Sequence, residues 1–511
     1  MNLTVSALIA DKKADAPAIG APNREWLTYG GLRELSGKVK DTLNAVGIGR
    51  ADRVAIVLPN GPEMASAFVT IAQAATTAPL NPAYQLEEYA FYLEDLRAKA
   101  LVVPEDYDGP ALAAAKQNGV AVLRLSFNEK DPAGTFSLSA NAPIGKADSA
   151  DPTDDDVALI LHTSGTTSRP KIVPLLQSNI YASANNIKAS LALTPDDRCM
   201  NVMPLFHIHG LIAAVLASLS AGGQVWCAPG FNALRFFAQL DDAQPTWFTA
   251  VPTMHQAILT RAGRNQDVID RVGLKFLRSS SASLPAPVMD ALVKAFDAPV
   301  IEAYGMTEAA HQMCSNPLAN GQQKPGAVGV AAGPEVRTAR ETDNTLLPAG
   351  EIGEVVISGA NVTPGYESNP KANNDNFFEI EGKRWFRTGD QGAFDEDGYL
   401  KLTGRLKEII NRGGEKISPL EVDAVLLSHP EIAQIVCFAV PHPKLGEDIS
   451  AAAVLTEGSA LKEQDIRAFA AERLASYKVP RSVLVLDEIP KGATGKIQRI
   501  GLAEKLGLTE A

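Results

Sequence analysis

Short apolar runs alternate with segments of helical spacing through the first 300 residues of the chain. Residues 53–58 predict a buried strand, residues 63–75 have helical spacing, and residues 100–103 predict the next strand. Further strands of the same kind are predicted at residues 157–161, 225–228, 247–251 and 300–303. This alternation of strands and helices is typical of an α/β layered architecture with mainly parallel sheets.

The pattern changes after about residue 320. Glycine is frequent there and the apolar runs are short, as at residues 353–357 and 398–402. Short strands separated by tight turns indicate a more antiparallel region. A further unit is predicted to begin near Lys407, where a second alternation of strands and helices follows the glycine-rich region.

The predicted C-terminal unit opens with a helix. Ser418 is a suitable N-cap, Pro419 suits the first helical position, and Glu421 is expected to reach back to the cap. The pair His429-Pro430 ends this helix. The remainder is predicted to contain strands at residues 435–440, 451–455 and 483–486 and a helix at residues 464–474. About 100 residues is enough for a small independent α+β domain.

Composition and charge exclude several classes of protein. The chain has 511 residues, of which 46% are hydrophobic and 21% charged, so a collagen-like, disordered or coiled-coil protein is excluded. Its length corresponds to about three domains of material. The 47 basic and 59 acidic residues give a net charge of −12, so nucleic acid is not an expected partner.

The sequence also bears on the compartment. The cysteines Cys199, Cys227, Cys314 and Cys437 show no paired spacing, which argues against a disulfide scaffold or zinc knuckle and fits a reducing compartment. The longest apolar stretch, residues 211–219, is about half the roughly 20 residues that a membrane helix needs. Neither a secretory signal nor a peroxisomal tripeptide is recognised. We therefore expect a cytoplasmic protein without membrane insertion.

The first candidate site is a loop rich in hydroxyl groups after the predicted strand at residues 157–161. Its sequence, from Thr163 to Lys171, is Thr-Ser-Gly-Thr-Thr-Ser-Arg-Pro-Lys. Small residues allow backbone N–H groups to approach an anion closely, and the arginine and lysine add positive charge. The alternative is a solvent-exposed Ser/Thr loop. The sequence contains no Walker motif, so a mononucleotide kinase is not expected.

Four other segments carry polar residues. Residues 304–308 follow a predicted strand and supply a hydroxyl and a carboxylate, which suit a phosphate oxygen and Mg²⁺. Residues 388–390 place an acid in a predicted turn, where it could accept hydrogen bonds from a ribose. Residues 404–416 lie at the predicted domain boundary, and residues 491–496 form a Gly-rich loop with two lysines. Singly, each could be a helix cap, a turn acid or a solvated lysine; all five in this order are not expected by chance.

Together, the five segments resemble the motifs of the adenylate-forming acyl-CoA synthetase superfamily, which includes acyl-CoA ligases, luciferases and peptide-synthetase adenylation domains. The resemblance spans about residues 20–500, and residues 161–171, 204–211, 278–284 and 411–430 resemble the oxalate–CoA ligases in particular. It implies an α/β protein whose N-terminal domain, residues 1–406, has two α/β layered subdomains and a β-barrel. A small mobile α+β lid would form residues 407–511, with a hinge near Lys407.

The resemblance implies a two-step ligase reaction that uses ATP, Mg²⁺ and CoA. A carboxylate attacks the α-phosphate of ATP to give an acyl-adenylate and pyrophosphate, and the thiol of CoA then displaces AMP. Because both reactants of the first step are anions, positioning and charge neutralisation are expected to dominate catalysis.

The resemblance also implies roles for residues that bind the nucleotide. The loop would hold the β- and γ-phosphates, Tyr304 would stack on adenine, Thr307 would touch the α-phosphate and Glu308 would hold Mg²⁺. Asp390 and Arg405 would take the ribose hydroxyls. The implied ATP-binding set is Thr163, Ser164, Gly165, Thr166, Thr167, Lys171, Glu302, Ala303, Tyr304, Thr307, Asp390, Arg405 and Lys496. One departure is Ile172, because the family usually has glycine after the loop lysine.

The C-terminal unit would carry the moving parts of the implied mechanism. Lys496 matches the lysine that bridges the carboxylate and the α-phosphate, and a point charge on a flexible stem suits that role. Lys407 matches the hinge, where backbone rotation would exchange the two faces of the lid. Gly413 and Gly414 would then lie beside the pantetheine of CoA, where missing side chains allow a close approach.

The acyl pocket implied by the resemblance is polar. His207, Ser281 and His311 are the candidate substrate ligands, and His207 joins Thr307 and Lys496 as a candidate catalytic residue. His311 follows Glu308 by three positions and would share its face on a helix.

These residues favour a dianion such as oxalate, because an unpaired carboxylate in an apolar pocket is costly. As alternatives, His207 could be an aromatic-type gate of the CoA tunnel and His311 a core histidine. Malonate, for which Arg278 is a candidate ligand, and other short acids are alternative substrates. An adenylation module that acts without CoA is the alternative activity.

Overall fold

A computed structural model describes residues 2–140, 145–163, 170–318, 322–491 and 497–508. Within these residues, the strands form four sheets. The strands, numbered in chain order, are β1 Pro17–Gly20, β2 Leu27–Thr28, β3 Arg53–Ile56, β4 Thr76–Pro79, β5 Ala100–Pro104, β6 Ala121–Ser126, β7 Ser137–Ala140, β8 Val157–Thr163, β9 Lys171–Leu176, β10 Arg198–Asn201, β11 Gln224–Cys227, β12 Trp247–Ala250, β13 Phe276–Ser280, β14 Val300–Met306, β15 His311–Ser315, β16 Val330–Ala331, β17 Glu335–Ala339, β18 Gly353–Ser358, β19 Phe377–Ile380, β20 Lys383–Phe394, β21 Leu400–Arg405, β22 Ile410–Arg412, β23 Glu415–Ile417, β24 Ile432–His442, β25 Gly446–Leu455 and β26 Val483–Val485.

Proline begins many of the helices, because its fixed φ suits the first helical turn and its missing N–H would have no helical partner there. It occupies that position in α3, α5, α9, α12 and α13 as defined next. The α-helices are α1 Val5–Ile9, α2 Tyr29–Val46, α3 Pro62–Ile71, α4 Leu86–Asp95, α5 Pro110–Gln117, α6 Gln177–Ser190, α7 Ala217–Ser220, α8 Phe236–Ala243, α9 Pro252–Ala262, α10 Gln266–Val272, α11 Ala286–Phe296, α12 Pro370–Asn376, α13 Pro419–Leu426, α14 Glu463–Ala471 and α15 Leu502–Lys505. A π-helix covers His209–Leu216, and short 3₁₀ helices cover Thr307–Ala309 and Ser476–Lys478.

The first half of the described chain contains two mainly parallel sheets. One has the order β7-β6-β5-β3-β4-β8-β9, and the other has the order β16-β15-β14-β13-β12-β10-β11-β1-β2. In the second sheet, β12, β13 and β14 are parallel neighbours, so their carboxyl ends meet at one edge. Loops at such an edge commonly build the ligand site of an α/β protein. The predicted α/β layered class is confirmed.

The glycine-rich region forms an antiparallel sheet of the order β17-β18-β20-β19, with β21 paired to β20. Asp390 lies within β20, opposite Arg405 of β21, so the prediction that it sits in a turn was wrong. Gly389, at φ 73°, and the register shift after Gln391 bend the strand without ending it. Such a bend has the composition of a turn, which explains the error.

The C-terminal region forms a small α+β unit around the sheet β23-β22-β25-β24, with β26 parallel to β25. Ser418 caps α13 as predicted, because its hydroxyl accepts a hydrogen bond from the Glu421 N–H. The Glu421 carboxylate contacts Lys478 at 2.6 Å instead of reaching back to the cap. A large N-terminal domain and a small C-terminal domain agree with the predicted fold class, and the boundary near Lys407 stays a prediction.

The apolar run at residues 211–219 belongs to a buried π-helix that continues directly into α7. Its helical residues His209–Leu216 are all buried in the core. In the described part of the chain, no helix is long and apolar enough to cross a membrane. The fold therefore uses this run to anchor the segment that precedes it, which carries His207.

Candidate active site

The hydroxyl-rich segment connects two paired antiparallel strands, β8 and β9. Thr163, the last residue of β8, pairs directly with Lys171, the first residue of β9. Both residues are half-buried, and residues 164–169 of the predicted phosphate loop lie outside the described residues. Ile172, which departs from the family pattern, lies in β9 and is 7% exposed, so its side chain belongs to the core.

Lys171 brings a cation to the part of the site that is predicted to bind the nucleotide. Its ammonium group lies 4.4 Å from the centre of the Tyr366 ring, in a cation–π contact. Burial lowers the pKa of Lys171, the Glu308 carboxylate opposes this shift, and the Lys407 charge adds to it. A phosphate ligand would relieve the same desolvation, because it supplies an opposite charge at close range.

Glu308 is a buried carboxylate that interacts electrostatically with two cationic side chains, Lys171 and Arg405. It lies in the 3₁₀ turn after β14 and accepts a hydrogen bond from the Tyr366 hydroxyl at 2.8 Å. Burial raises the pKa of Glu308, whereas Tyr366, Lys171 and Arg405 oppose the rise. A divalent cation would stabilise the charged form further, so this carboxylate suits the predicted metal role.

Asp390, Tyr304 and Arg405, from the three strands β20, β14 and β21, form one group of polar contacts. The Tyr304 hydroxyl donates to one oxygen of the Asp390 carboxylate, and Arg405 lies 3.2 Å from the other. Asp390 is 6% exposed, while the Arg405 side chain is half exposed. The Asp390 charge raises the pKa of Arg405. This geometry fixes the carboxylate predicted to bind the ribose.

Glu302 and Ala303 lie on β14 in front of Tyr304, and both are buried. One Glu302 oxygen accepts a hydrogen bond from the Leu284 N–H at 2.8 Å. Burial raises the pKa of Glu302 to about 8. The carboxyl group is therefore protonated near neutral pH and adds no charge beside the predicted adenine position.

His311 does not share a helix with Glu308, and that prediction was wrong. Ala310 and His311 have φ values of 47° and 102°, so the short helix ends and β15 begins. His311 then pairs with Met306 across the antiparallel β14–β15 ladder. Positive φ in residues other than glycine is strained and tends to persist at functional sites.

Polar contacts hold this strained turn in place. The Ser183 hydroxyl donates to the Ala310 carbonyl at 2.6 Å, and Asn361 donates to the Ala309 carbonyl at 2.8 Å. Gly305 lies against the turn: a β-carbon there would stand 1.9 Å from the His311 carbonyl oxygen. Glycine is therefore required at position 305 for His311 to lie beside the Tyr304–Glu308 segment.

The candidate acyl residues form one cluster around His209. The ring centres of His209 and His311 lie 5.0 Å apart, and His209 Nδ1 lies 3.0 Å from the Ser281 hydroxyl. His207 is half-buried, and its Nδ1 accepts a hydrogen bond from the His209 N–H at 3.4 Å. Arg278 lies behind the cluster, completely buried. The three predicted substrate residues are thus brought to one place.

The predicted CoA glycines have a structural reason of their own. Gly413 and Gly414 join β22 to β23, with φ values of 61° and 98°. Two residues with positive φ between paired strands form the hairpin turn that favours glycine at both positions. Lys407 is exposed between β21 and β22, and Lys496 lies outside the described residues.

The sequence analysis missed two residues of the site, Tyr366 and His209. Tyr366 contacts both Glu308 and Lys171, although it is 58 residues from the former. His209 links Thr249 and Ser281, but its role was not separated from that of the neighbouring His207. No local pattern distinguishes these residues from core aromatic residues, because their partners come from distant segments.

Family models match most of the chain. Residues 7–367 match the AMP-binding enzyme model, and residues 421–496 match the model of the AMP-binding enzyme C-terminal domain. The first matched region lies in the large N-terminal unit of the fold, and the second lies in the small C-terminal unit.

Individual relatives agree with this assignment. The chain is 45% identical to an oxalate–CoA ligase of Arabidopsis thaliana, with 96% of each chain covered. It is 44% identical to an oxalate–CoA ligase of Saccharomyces cerevisiae, over 89% of this chain and 87% of the relative. The crystal structure of ATP-bound MatB from Rhodopseudomonas palustris superposes with a TM-score of 0.88 at 29% identity, covering 99% of both chains. The chain therefore belongs to the adenylate-forming AMP-binding enzyme family and is an AMP-forming acid–thiol ligase that uses ATP, CoA and a carboxylate.

Proposed function

We propose that the carboxylate is oxalate and that the product is oxalyl-CoA, formed with release of AMP and pyrophosphate. The observation that carries this proposal is the cluster of hydrogen-bond donors around His209. It combines a fully buried guanidinium with a hydroxyl and several imidazoles: Arg278, Ser281, His207, His209 and His311. A short acid with a charge at each end matches such a pocket, whereas an apolar acyl chain would bring no opposite charge to the buried guanidinium of Arg278. The two relatives named oxalate–CoA ligase support the same assignment.

In the first half-reaction, an oxalate oxygen attacks the α-phosphorus of ATP and pyrophosphate leaves. We assign the phosphate contacts to Thr163, Ser164, Gly165, Thr166, Thr167 and Lys171 and the contact with the α-phosphate to Thr307. The Asp390 carboxylate, fixed by Tyr304 and Arg405, accepts hydrogen bonds from the ribose. Tyr304 also stacks on adenine, beside Glu302 and Ala303. These groups act by positioning and by charge, because the reaction itself needs no covalent partner from the protein.

Glu308 is the proposed magnesium ligand. The Tyr366 hydroxyl donates a hydrogen bond to one oxygen of this carboxylate and keeps it oriented. Because the carboxylate is buried, an additional positive charge would stabilise its ionised form. Mg²⁺ would neutralise the phosphate oxygens and pyrophosphate, a role that it fills with one or two protein carboxylates and several waters. Lys171 and Arg405 supply positive charge on the same side of the site.

The second half-reaction is assigned to another position of the C-terminal unit, residues 407–511. Lys496 would bridge oxalate and the α-phosphate in the first step and leave with the lid, which turns at Lys407. The turn formed by Gly413 and Gly414 would then face the pantetheine, where a β-carbon on Gly414 meets no atom within 4 Å. We also propose the cytoplasm as its compartment, in agreement with four buried free cysteines.

A panel of short acids tests the substrate. Oxalate, malonate, acetate and glycolate are each supplied with ATP, Mg²⁺ and CoA, and both pyrophosphate and the acyl-CoA product are measured. We expect the highest kcat/KM for oxalate and strict dependence of thioester formation on CoA. A higher kcat/KM for malonate or acetate would reject oxalate as the substrate. Release of the adenylate with no thioester would favour an adenylation module that acts without CoA.

A further inference from the structure

Arg278 is a buried charge without a carboxylate partner in the described part of the chain. Its side chain, on β13, is completely buried. Its guanidinium lies 3.5 Å from His209 Nε2 and 3.3 Å from the Gln312 side-chain oxygen. Burying an ionised group without an opposite charge is costly, so this charge calls for an anion close by.

The contacts of His209 determine which of its nitrogens carries the proton. Nε2 lies 2.6 Å from the Thr249 hydroxyl and 3.5 Å from Arg278, which can only donate. A proton on Nε2 would point towards the N–H groups of the guanidinium. Nε2 therefore carries no proton and accepts a hydrogen bond from the Thr249 hydroxyl. The proton of the neutral ring therefore lies on Nδ1, which donates to the Ser281 hydroxyl oxygen at 3.0 Å.

Ser281 is the outermost member of this chain of hydrogen bonds. It is half-buried, whereas Thr249, His209 and Arg278 are completely buried. Ser281 follows β13 directly with a φ of 75°, a strained conformation for serine. Its oxygen accepts from His209, so its own proton is available to a group other than the imidazole.

We infer that Thr249, Arg278 and His209 form a relay that directs the Ser281 hydroxyl proton into the acyl pocket, where it binds a carboxylate of a small dianionic acid. The inference rests on the proposed function, because it names the groups that select the charge of the substrate at the same site. His209, Thr249 and Arg278 are positioning residues, and Ser281 contacts the substrate. No covalent bond is made or broken in this role. If Ser281 donated its proton to the imidazole, only the lone pairs of its oxygen would face an anion; the relay prevents this arrangement.

Thr249→Val tests the relay with little change of shape. The substitution removes the Thr249 hydroxyl, which donates to His209 Nε2 at 2.6 Å. The imidazole is then less firmly held in the tautomer with its proton on Nδ1. We expect the KM for oxalate to rise about fivefold while the KM for ATP stays within twofold. Thr77→Val is the matched control: Thr77 is also completely buried in a parallel strand, and its hydroxyl donates to the Ala158 carbonyl away from the site.

A double-mutant cycle separates the relay from a general loss of packing. Ser281→Ala should raise the KM for oxalate about tenfold or more, because a hydrogen bond to a charged group is lost. In that background, adding Thr249→Val should change the KM for oxalate less than twofold, since the relay has no hydroxyl left to direct. Multiplication of the two single effects, or an equal rise in the KM for ATP, would overturn the inference.

Arg278→Gln removes the charge and is expected to raise the KM for oxalate more than Thr249→Val does. If this variant does not fold, the Thr249→Val and Ser281→Ala cycle still decides the question. A wild-type enzyme that makes no pyrophosphate from oxalate would reject the proposed function and the relay with it. A wild-type enzyme that is active with oxalate but shows independent effects of the two substitutions would reject the relay alone.

Discussion

On the side of the site proposed to hold ATP, two carboxylates have cationic or hydroxyl partners from the protein: Asp390 contacts Arg405 and Tyr304, and Glu308 contacts Tyr366. On the acyl side, Arg278 is buried next to neutral hydrogen-bonding groups. The difference indicates how each side meets its ligand. We infer that the residues proposed to bind ATP are oriented before ATP binds, whereas the residues proposed to bind the acid hold an excess of positive charge that an anionic substrate can balance.

The largest effect is expected for the residue proposed to bridge the two sides. Lys496→Ala should reduce oxalate-dependent ATP–pyrophosphate exchange about a thousandfold or more, because the charge between two anions is lost. Thioester formation from preformed oxalyl-adenylate should be largely spared. Equal losses in both half-reactions would contradict the bridging role.

Glu302 is a buried acid that differs from Asp390 and Glu308, because its carboxyl group is protonated near neutral pH. The folded-state pKa of Glu302, about 8, lies above the usual pKa of a glutamate. Because the folded protein holds this proton more tightly than the unfolded chain does, the protonated carboxyl stabilises the fold fully below the usual pKa, and this stabilisation is lost as the pH rises towards 8. Glu302→Gln should remove this loss, which approaches about 1.4 kcal/mol per pH unit between pH 5 and 8. Urea unfolding at several pH values measures it, and parallel profiles for variant and wild type would contradict the protonated state.

On the acyl side, His311→Ala should raise the KM for oxalate about tenfold or more and leave the KM for ATP nearly unchanged. The physical reason is the loss of a donor to a charged group beside His209. Initial rates of pyrophosphate release at varied oxalate and ATP measure the two constants. His429→Ala, in the C-terminal unit, is the control, and unchanged oxalate kinetics in His311→Ala would remove His311 from the pocket.

On the nucleotide side, Asp390→Asn should have the opposite selectivity. The amide keeps the shape but loses the charge that Arg405 contacts and that the ribose hydroxyls are proposed to contact, so the KM for ATP should rise several-fold. The KM for oxalate should change less than twofold. Asp395→Asn, an exposed acid paired with Lys324, serves as the control. A larger change in the KM for oxalate than for ATP would break the division into two sides.

The sequence was sufficient for much of the fold. Buried strands such as β3 and β5 appear as continuous apolar runs, and the Ser418-Pro419 signal located the start of α13 within one residue. The motif segments also led to residues that the fold brings together, from Thr163 and Lys171 to Tyr304 and Asp390. Local patterns are informative here because each motif begins or ends at a strand.

The errors arose where long-range contacts override local preference. The 3₁₀ turn ends at Ala310 because Ser183 and Asn361 hold its carbonyl groups, and neither residue is near it in the sequence. In the same way, the proton on His209 depends on Thr249, which lies 40 residues away. Spacing along one segment carries no information on such partners.

The central claim, that the acyl side selects for charge, is tested most directly by comparing oxalate with oxamate. Oxamate has nearly the same shape, but an amide replaces one carboxylate, so the two acids differ mainly by one negative charge. The measurement is the wild-type kcat/KM for pyrophosphate release with each acid. The account predicts a preference for oxalate of about a hundredfold or more, whereas equal values, or a preference for oxamate, would contradict it.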